Sequence, residues 1–168
     1  WLKSGELDPA LRQQALTWFQ TSAEPGERLW LHYGLTLLYY PFFRECTTVI
    51  GQLSRSEQAV TNKLLFNRLA ARLGNIGSLQ RTMQHLITSL RSWGILTPAE
   101  QRFAYIPRRQ VFQASHPDLE IWLLTCALKA EPVEEIHFDD LLHLPALFPF
   151  RFTLTSEDLR QASRIEVQ

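Results

Sequence analysis

The sequence predicts a mainly α-helical protein with a few short strands. Apolar residues recur at steps of three and four over most of the 168 residues, which is the period of an amphipathic helix. Pro and Gly stand at the ends of these periodic stretches, where they interrupt helices. A hydrophobic content of 45% and five Trp indicate a packed core, and a chain of this length can bury most of its apolar surface.

An N-terminal helical region is predicted for residues 1–53. Its first helix covers 9–20, with Asp8 as N-cap and Pro9 at the first helical position. Further helices cover 27–40 and 42–53, separated by Pro41. Their many aromatic side chains suit a core, and a dimerisation surface is the alternative.

The centre of the chain, 66–96, has the sequence form of a helix-turn-helix. A helix capped by Ser54 or Ser56 ends at Gly74, and a second helix covers 78–93 and stops at Gly94. One face of the second helix is apolar and carries Leu79, Met83, Leu86, Ile87, Leu90 and Trp93. The opposite face carries Gln80, Arg81, Gln84, His85, Thr88 and Arg91. Such side chains donate to phosphates and to purine edges, Arg to guanine and Gln to adenine, and no carboxylate opposes them.

This stretch resembles the winged helix-turn-helix domains of bacterial transcription regulators. The family pattern of a Thr, spaced apolar residues and a Gly followed by two aliphatics is matched by Thr82, Met83, Leu86, Ile87, Leu90, Gly94, Ile95 and Leu96. The resemblance implies a winged helix-turn-helix over 54–113 with 78–93 as its recognition helix. The same pattern also occurs in winged helices that bind only protein.

A β-hairpin wing is predicted at 103–113. Two short alternating stretches, 103–106 and 111–113, are typical of strands, and 107–110 would join them. Arg108 and Arg109 at this tip would contact phosphates or enter a minor groove, whereas Thr82 and Lys63 would touch the DNA backbone. A solvated hairpin with no partner is the alternative.

Positive charge is concentrated on the same segment although the net charge of the chain is zero. Residues 55–109 carry nine basic and two acidic side chains, a net +7, whereas 1–54 carry −1 and 110–168 carry −6. A basic segment that coincides with a DNA-binding pattern is the electrostatic footprint expected of a nucleic-acid-binding surface.

The C-terminal region, 114–168, is predicted to be an α+β extension. Helices are expected at 117–130 and 138–144, a strand at 150–154, a short helix opened by Thr155 or Ser156, and a last strand at 164–167.

Enzymatic, metal and membrane functions find little support in the sequence. Phosphate-binding glycine loops and the common hydrolase motifs are absent, so no catalytic residue and no cofactor is expected. The best acid and histidine cluster is His137, Asp139, Asp140 and His143, which suits helix capping better than metal binding. The apolar run 29–43 is shorter than the ~20 residues of a membrane span, and Cys46 and Cys126 are expected to be reduced core residues, with a disulfide as the alternative. A cytoplasmic location is therefore expected.

The function predicted from these observations is binding of double-stranded DNA. The run 31–53 is also similar to uncharacterised bacterial proteins, some of them associated with mobile or phage-defence loci, which suggests a bacterial regulator or a defence-system component. The alternative is a winged-helix interaction subunit of a larger assembly that binds a protein partner. A homodimer is compatible with either function, because many such regulators bind paired half-sites.

Overall fold

The computed structural model describes residues 9–21, 24–74, 76–133 and 135–158. Within these ranges the chain is mainly helical, which confirms the predicted class. The helices are α1 (Pro9–Thr21), α2 (Pro25–Tyr39), α3 (Pro41–Leu53), α4 (Asn62–Leu73), α5 (Leu79–Ser92), α6 (Pro117–Ala130), α7 (Phe138–Leu142) and the 3₁₀ helix Pro145–Leu147. The strands are β1 (Val60–Thr61), β2 (Leu96–Pro98), β3 (Ala104–Pro107), β4 (Phe112–Gln113) and β5 (Phe150–Arg151).

The chain divides into two compact units. Unit 1 comprises Trp1–Tyr40, Phe112–His143 and Arg151–Gln168, and unit 2 comprises Pro41–Val111 and Leu144–Phe150. The division into 1–53, 54–113 and 114–168 stays a prediction, but α3 groups with the elements that follow it. The short strands β4 and β5 lie where the chain passes from one unit to the other.

Unit 2 contains three α-helices, the 3₁₀ helix and a three-stranded antiparallel sheet. Helix α3 contacts α4 and α5, and α5 also contacts α4 and β2. In the sheet, β3 is central and pairs with β1 on one side and β2 on the other, so that the strand order is β1-β3-β2. The chain therefore runs from a helix to a strand, then to a pair of helices, and closes with a β-hairpin.

Local capping explains where α4 and α5 begin and end. The Thr61 hydroxyl accepts a hydrogen bond from the Leu64 backbone N–H at 3.1 Å, so Thr61 and not Ser54 or Ser56 is the N-cap of α4. At the end of α5, Gly94 has a φ of 72°, and the Ile95 N–H donates to the Leu90 carbonyl at 2.9 Å. This is a Schellman arrangement, which requires the left-handed backbone that glycine adopts without strain.

Helix α3 is held close to the 3₁₀ helix by a glycine. A Cβ added at Gly51 would lie 1.9 Å from the carbonyl oxygen of Pro145, so the two backbones can approach only because residue 51 has no side chain. This approach attaches the segment Leu144–Phe150 to the rest of unit 2.

Unit 1 is organised around the contact between α2 and α6. Trp122 on α6 is buried against Gly34 on α2, where an added Cβ would lie 2.4 Å from the indole ring. The Trp122 indole N–H donates to the Leu11 carbonyl on α1 at 3.1 Å. One buried Trp therefore joins three helices, and its polar group is satisfied inside the core.

Most predicted helices are found within two residues of their expected bounds, and the strands differ more. The predicted strand 150–154 is reduced to β5, and the expected strand 164–167 and the N-cap Asp8 lie outside the described residues. At Thr155 the predicted helix start is found, because its N–H and hydroxyl both donate to the Asp158 carboxylate at 2.7 Å. These hydrogen bonds to the charged form lower the pKa of Asp158.

No helix in the described part of the chain has the length and apolar character needed to cross a membrane. The two cysteines, Cys46 and Cys126, are both buried and are not joined in a disulfide.

Burial of Cys46 predicts a specific dependence of stability on pH. Burial raises the pKa of this thiol from 9.0 to about 12. The unfolded chain loses the proton first, so this group lowers the free energy of unfolding as pH rises from about 9 towards 12, by at most about 1.4 kcal/mol per pH unit. Urea unfolding at a series of pH values checks this. The variant Cys46→Ala should show a smaller alkaline slope, and an unchanged slope would assign the loss to other groups.

Candidate nucleic-acid interface

The exposed face of α5 collects most of the predicted DNA-binding side chains. Leu79, Met83, Ile87 and Leu90 are buried, so the apolar face is seated in unit 2 as predicted. The polar face is therefore turned to solvent. Its exposed members are Gln80, Arg81, Gln84, His85, Thr88 and Arg91, and Thr82 is half-buried.

The chemistry of this face suits a polyanion. Helix α5 has no Asp or Glu, and it carries two arginines and two glutamines, which supply several donors. The Thr82 hydroxyl donates to the Ser78 carbonyl at 3.0 Å and the Thr88 hydroxyl to the Gln84 carbonyl at 3.0 Å. These two threonines thus use their donor hydrogens within the helix, and the longer side chains remain for an external partner.

Lys63 and Arg91 extend the basic surface beyond the first turns of α5. Lys63 is exposed at the second residue of α4, and α4 contacts α5. The guanidinium carbon of Arg91 lies 5.6 Å from the centre of the Tyr105 ring on β3. This cation–π contact orients an arginine between α5 and the sheet while it stays exposed.

Net charge separates the two units more sharply than the linear segments do. Unit 2 contains ten Lys and Arg against three Asp and Glu, a net +7, and unit 1 contains seven against fourteen, a net −7. One of the three carboxylates of unit 2, Glu45, lies 2.8 Å from Arg72 and 3.9 Å from Arg44. Unit 2 is therefore a strongly basic body within a neutral chain.

The two strands predicted for the wing are found as β3 and β4, but they do not pair with each other, so the predicted hairpin was wrong in its pairing. Strand β3 pairs with β2 in the register Leu96↔Pro107 and Thr97↔Ile106, and the described pairings of β3 do not include residues 111–113. The hairpin therefore spans 96–107 with its tip at 99–103. Thr97 and Pro98 are part of β2, where a proline is tolerated because an edge strand does not need every N–H as a donor.

Arg108 and Arg109 consequently do not lie at a hairpin tip. The Arg108 guanidinium donates to the Gly94 carbonyl at 3.0 Å, beyond the end of α5. The Arg109 guanidinium donates to the Ser54 hydroxyl at 2.8 Å and more weakly to the Gly51 carbonyl at 3.5 Å, beside the end of α3. Both side chains remain exposed, and their hydrogen bonds attach the segment after β3 to the ends of α5 and α3.

The actual tip carries two residues that were not predicted as interface residues, Arg102 and Phe103. Phe103 has a φ of 60° and is 58% exposed. The guanidinium carbon of Arg102 lies 4.7 Å from the centre of the Phe103 ring. A left-handed conformation costs a bulky residue about 1–2 kcal/mol, and no sequence pattern marks it in advance.

The cluster of His137, Asp139, Asp140 and His143 lies within α7 and at its two ends. Asp139 and Asp140 lie in the first turn of α7, and a ring nitrogen of His143 lies 2.5 Å from the Asp139 carbonyl oxygen. Among the described residues, no group of three or more His, Cys, Asp and Glu side chains could hold a metal ion.

An open groove lies between α3 and α4 in unit 2. Its volume is about 290 Å³, and it is lined by Val49, Gln52, Leu53, Ser56, Arg68, Ala71 and Arg72. One of its two arginines, Arg72, is engaged by Glu45. The groove is therefore less suited to an anion than the acid-free face of α5 is.

Comparison of the chain with protein-family models, with curated proteins and with solved structures found no match.

Proposed function

We propose that unit 2 is a winged helix-turn-helix domain that binds duplex DNA with α5 in the major groove. The observation that carries the proposal is the exposed face of α5, which bears arginine and glutamine side chains and no carboxylate. The winged form is supported by the order of elements, because a strand precedes the helix pair and a β-hairpin follows it in one antiparallel sheet.

In this proposal the side chains have distinct roles. Gln80, Arg81, Gln84 and His85 face base edges, and Arg81 is the residue best suited to guanine. Lys63 and Thr82 contact the DNA backbone, Thr82 by turning its hydroxyl from the Ser78 carbonyl so that it donates to a phosphate oxygen. Arg91 adds a phosphate contact from the end of α5.

The corrected hairpin changes which residues serve the wing. The tip 99–103 reaches the DNA in place of 107–110, so Arg102 takes the role predicted for Arg108 and Arg109. The two displaced arginines support the hairpin through the carbonyls and the hydroxyl that they contact.

The proposed biological role is that of a bacterial regulator or a component of a defence system, and it requires no cofactor and no catalytic step. This role rests on the sequence resemblance. Binding as a homodimer would place two α5 helices on paired half-sites, and the mass of the complex with DNA would reveal it.

Salt dependence of binding tests the proposal. If Lys63, Arg91 and Arg102 each neutralise one phosphate, the slope of log affinity against log salt is about −2.7, from about −0.9 per contact. The affinity for random duplex DNA should then fall about 40-fold between about 50 and 200 mM salt. Fluorescence anisotropy of the full chain with a labelled duplex measures this. Absence of binding at the lower salt would reject the proposal.

Arg81→Ala separates base contacts from backbone contacts. As a base contact, Arg81 should contribute about 1–3 kcal/mol on preferred sequences and little on others. As a phosphate contact, its loss should weaken binding equally on all sequences and make the slope less negative by about 0.9. Arg12→Ala, at an exposed position on α1 in unit 1, is the matched control and should change neither quantity.

A second candidate function, interaction with a basic protein partner, is favoured by the net −7 of unit 1. A surface of this sign repels DNA and attracts cationic proteins. A salt-sensitive complex with a co-encoded protein, formed without any DNA retardation, would support this function instead.

A further inference from the structure

The tip of the hairpin between β2 and β3 is tightly held. The Ala99 N–H donates to the Ala104 carbonyl at 3.0 Å, and the Ala104 N–H donates to the Gln101 carbonyl at 3.2 Å. The Phe103 carbonyl accepts from the Asn62 N–H at 2.9 Å, which fixes the tip to the start of α4. These three hydrogen bonds therefore hold the backbone at Phe103 and at the residues next to it.

Neither the backbone nor the core explains a phenylalanine at this position. Its φ of 60° suits glycine, asparagine or aspartate and is unfavourable for a bulky side chain. The residue as a whole is 58% exposed, so much of its apolar surface contributes little to the core. A residue that costs conformational energy and buries little apolar surface is better explained by contact with a partner than by the stability of the fold.

The neighbour of Phe103 indicates the kind of partner. The Arg102 guanidinium lies over the ring, so the tip presents a flat apolar ring beside a positive charge. The tip also belongs to a unit of net charge +7. A partner that is strongly anionic and also offers flat apolar surfaces complements both features, and stacked base pairs between phosphates are such a partner.

We propose that Phe103 is a wedge that inserts between base pairs in the minor groove, while Arg102 contacts the adjacent phosphates. The inference rests on the proposed function, because the hairpin reaches the minor groove only when α5 occupies the neighbouring major groove. Insertion partly unstacks one base step and bends the duplex, and flexible pyrimidine–purine steps accept it most easily.

The test uses the full chain and a duplex in which 2-aminopurine replaces adenine at TA steps. Binding of the wild type should raise the 2-aminopurine fluorescence, because unstacking relieves its quenching, and should shorten the distance between dyes on the duplex ends. Phe103→Gly should still bind, with an affinity reduced about 5- to 100-fold, and should give neither signal. Phe103→Leu keeps an apolar side chain and should retain part of both.

Unfolding temperatures show whether Phe103→Gly keeps the stability of the wild type. Because glycine suits the φ of residue 103, Phe103→Gly should unfold at a temperature equal to or about 2–4 °C above that of the wild type. If it unfolds at a lower temperature, the comparison between the wild type and Phe103→Leu decides the result.

The outcomes separate this inference from the proposed function. Wild-type binding without a rise in 2-aminopurine fluorescence would overturn the wedge and leave DNA binding by α5 in place. An equal rise with Phe103→Gly would also overturn it. Absence of any binding by the wild type would reject the proposed function and the wedge together.

Discussion

Glu120→Ala is expected to lower the free energy of unfolding by about 3–5 kcal/mol, because its carboxylate accepts three hydrogen bonds inside unit 1. Glu120 lies on α6 and is only 2% exposed. Its carboxylate accepts from the Thr153 N–H and hydroxyl, both at 2.8 Å, and from the Leu154 N–H at 3.1 Å. Alanine removes the acceptor of three charge-assisted hydrogen bonds and leaves the N–H of the buried Leu154 without this partner.

Thermal and urea unfolding followed by circular dichroism measure this loss. Asp118→Ala is the matched control, because Asp118 is an exposed carboxylate in the first turn of the same helix. Its loss should cost no more than about 0.3–1 kcal/mol, the usual contribution of a charge near a helix N-terminus. Glu120→Gln keeps the shape but offers one acceptor oxygen, so its effect should be intermediate, about 1–3 kcal/mol. Equal midpoints for all three variants would contradict this assignment.

Glu120 illustrates what a sequence pattern does not reveal. A glutamate near the start of a helix is expected to be exposed and to interact with the helix dipole. Its partners, Thr153 and Leu154, follow it by more than thirty residues, and only the folded chain brings them to the carboxylate. Tertiary hydrogen bonds of this kind have no local signal in the sequence.

The helices of unit 2 could be predicted because their signals are local. The buried face of α5 repeats at helical spacing, and Gly74 and Gly94 stand at the two helix ends with φ values of 82° and 72°. The start of α4 was less evident, because Thr61 and not the serines caps it, and the strand β1 lies within the stretch that was predicted as helix. Short strands carry little periodic signal, so their positions depend on their partners.

The hairpin was misplaced for a related reason. Residues 96–98 contain a Thr-Pro pair that suggests a turn, and 111–113 alternate as a strand does. Pairing in the sheet selects the register Thr97↔Ile106 instead and leaves Arg108 and Arg109 at helix ends. The basic character of the region was therefore predictable, whereas the identity of the side chains at the hairpin tip was not.

The double substitution Arg81→Glu and Gln84→Glu is expected to weaken binding to duplex DNA by about 100-fold or more. Each position should lose a base-edge contact that contributes about 1–3 kcal/mol, and the two new carboxylates face phosphates with the same sign of charge. Both positions are exposed on α5, and acidic residues near a helix N-terminus are tolerated. The fold of unit 2 should therefore persist, with an unfolding temperature close to that of the wild type.

A matched variant distinguishes a contact made by α5 from a general effect of net charge. Arg12→Glu with Gln13→Glu changes the net charge of the chain by the same amount at two exposed positions of α1 in unit 1. At 0.1 M salt, the attraction between exposed charges is largely screened beyond about 10 Å. If DNA contacts α5, only the α5 variant should therefore lose much of its affinity for DNA. Equal losses for the two variants would instead mean that total charge controls binding. Arg108→Ala with Arg109→Ala provides the third comparison. Loss of their hydrogen bonds should lower the unfolding temperature, whereas the slope of log affinity against log salt should stay close to that of the wild type.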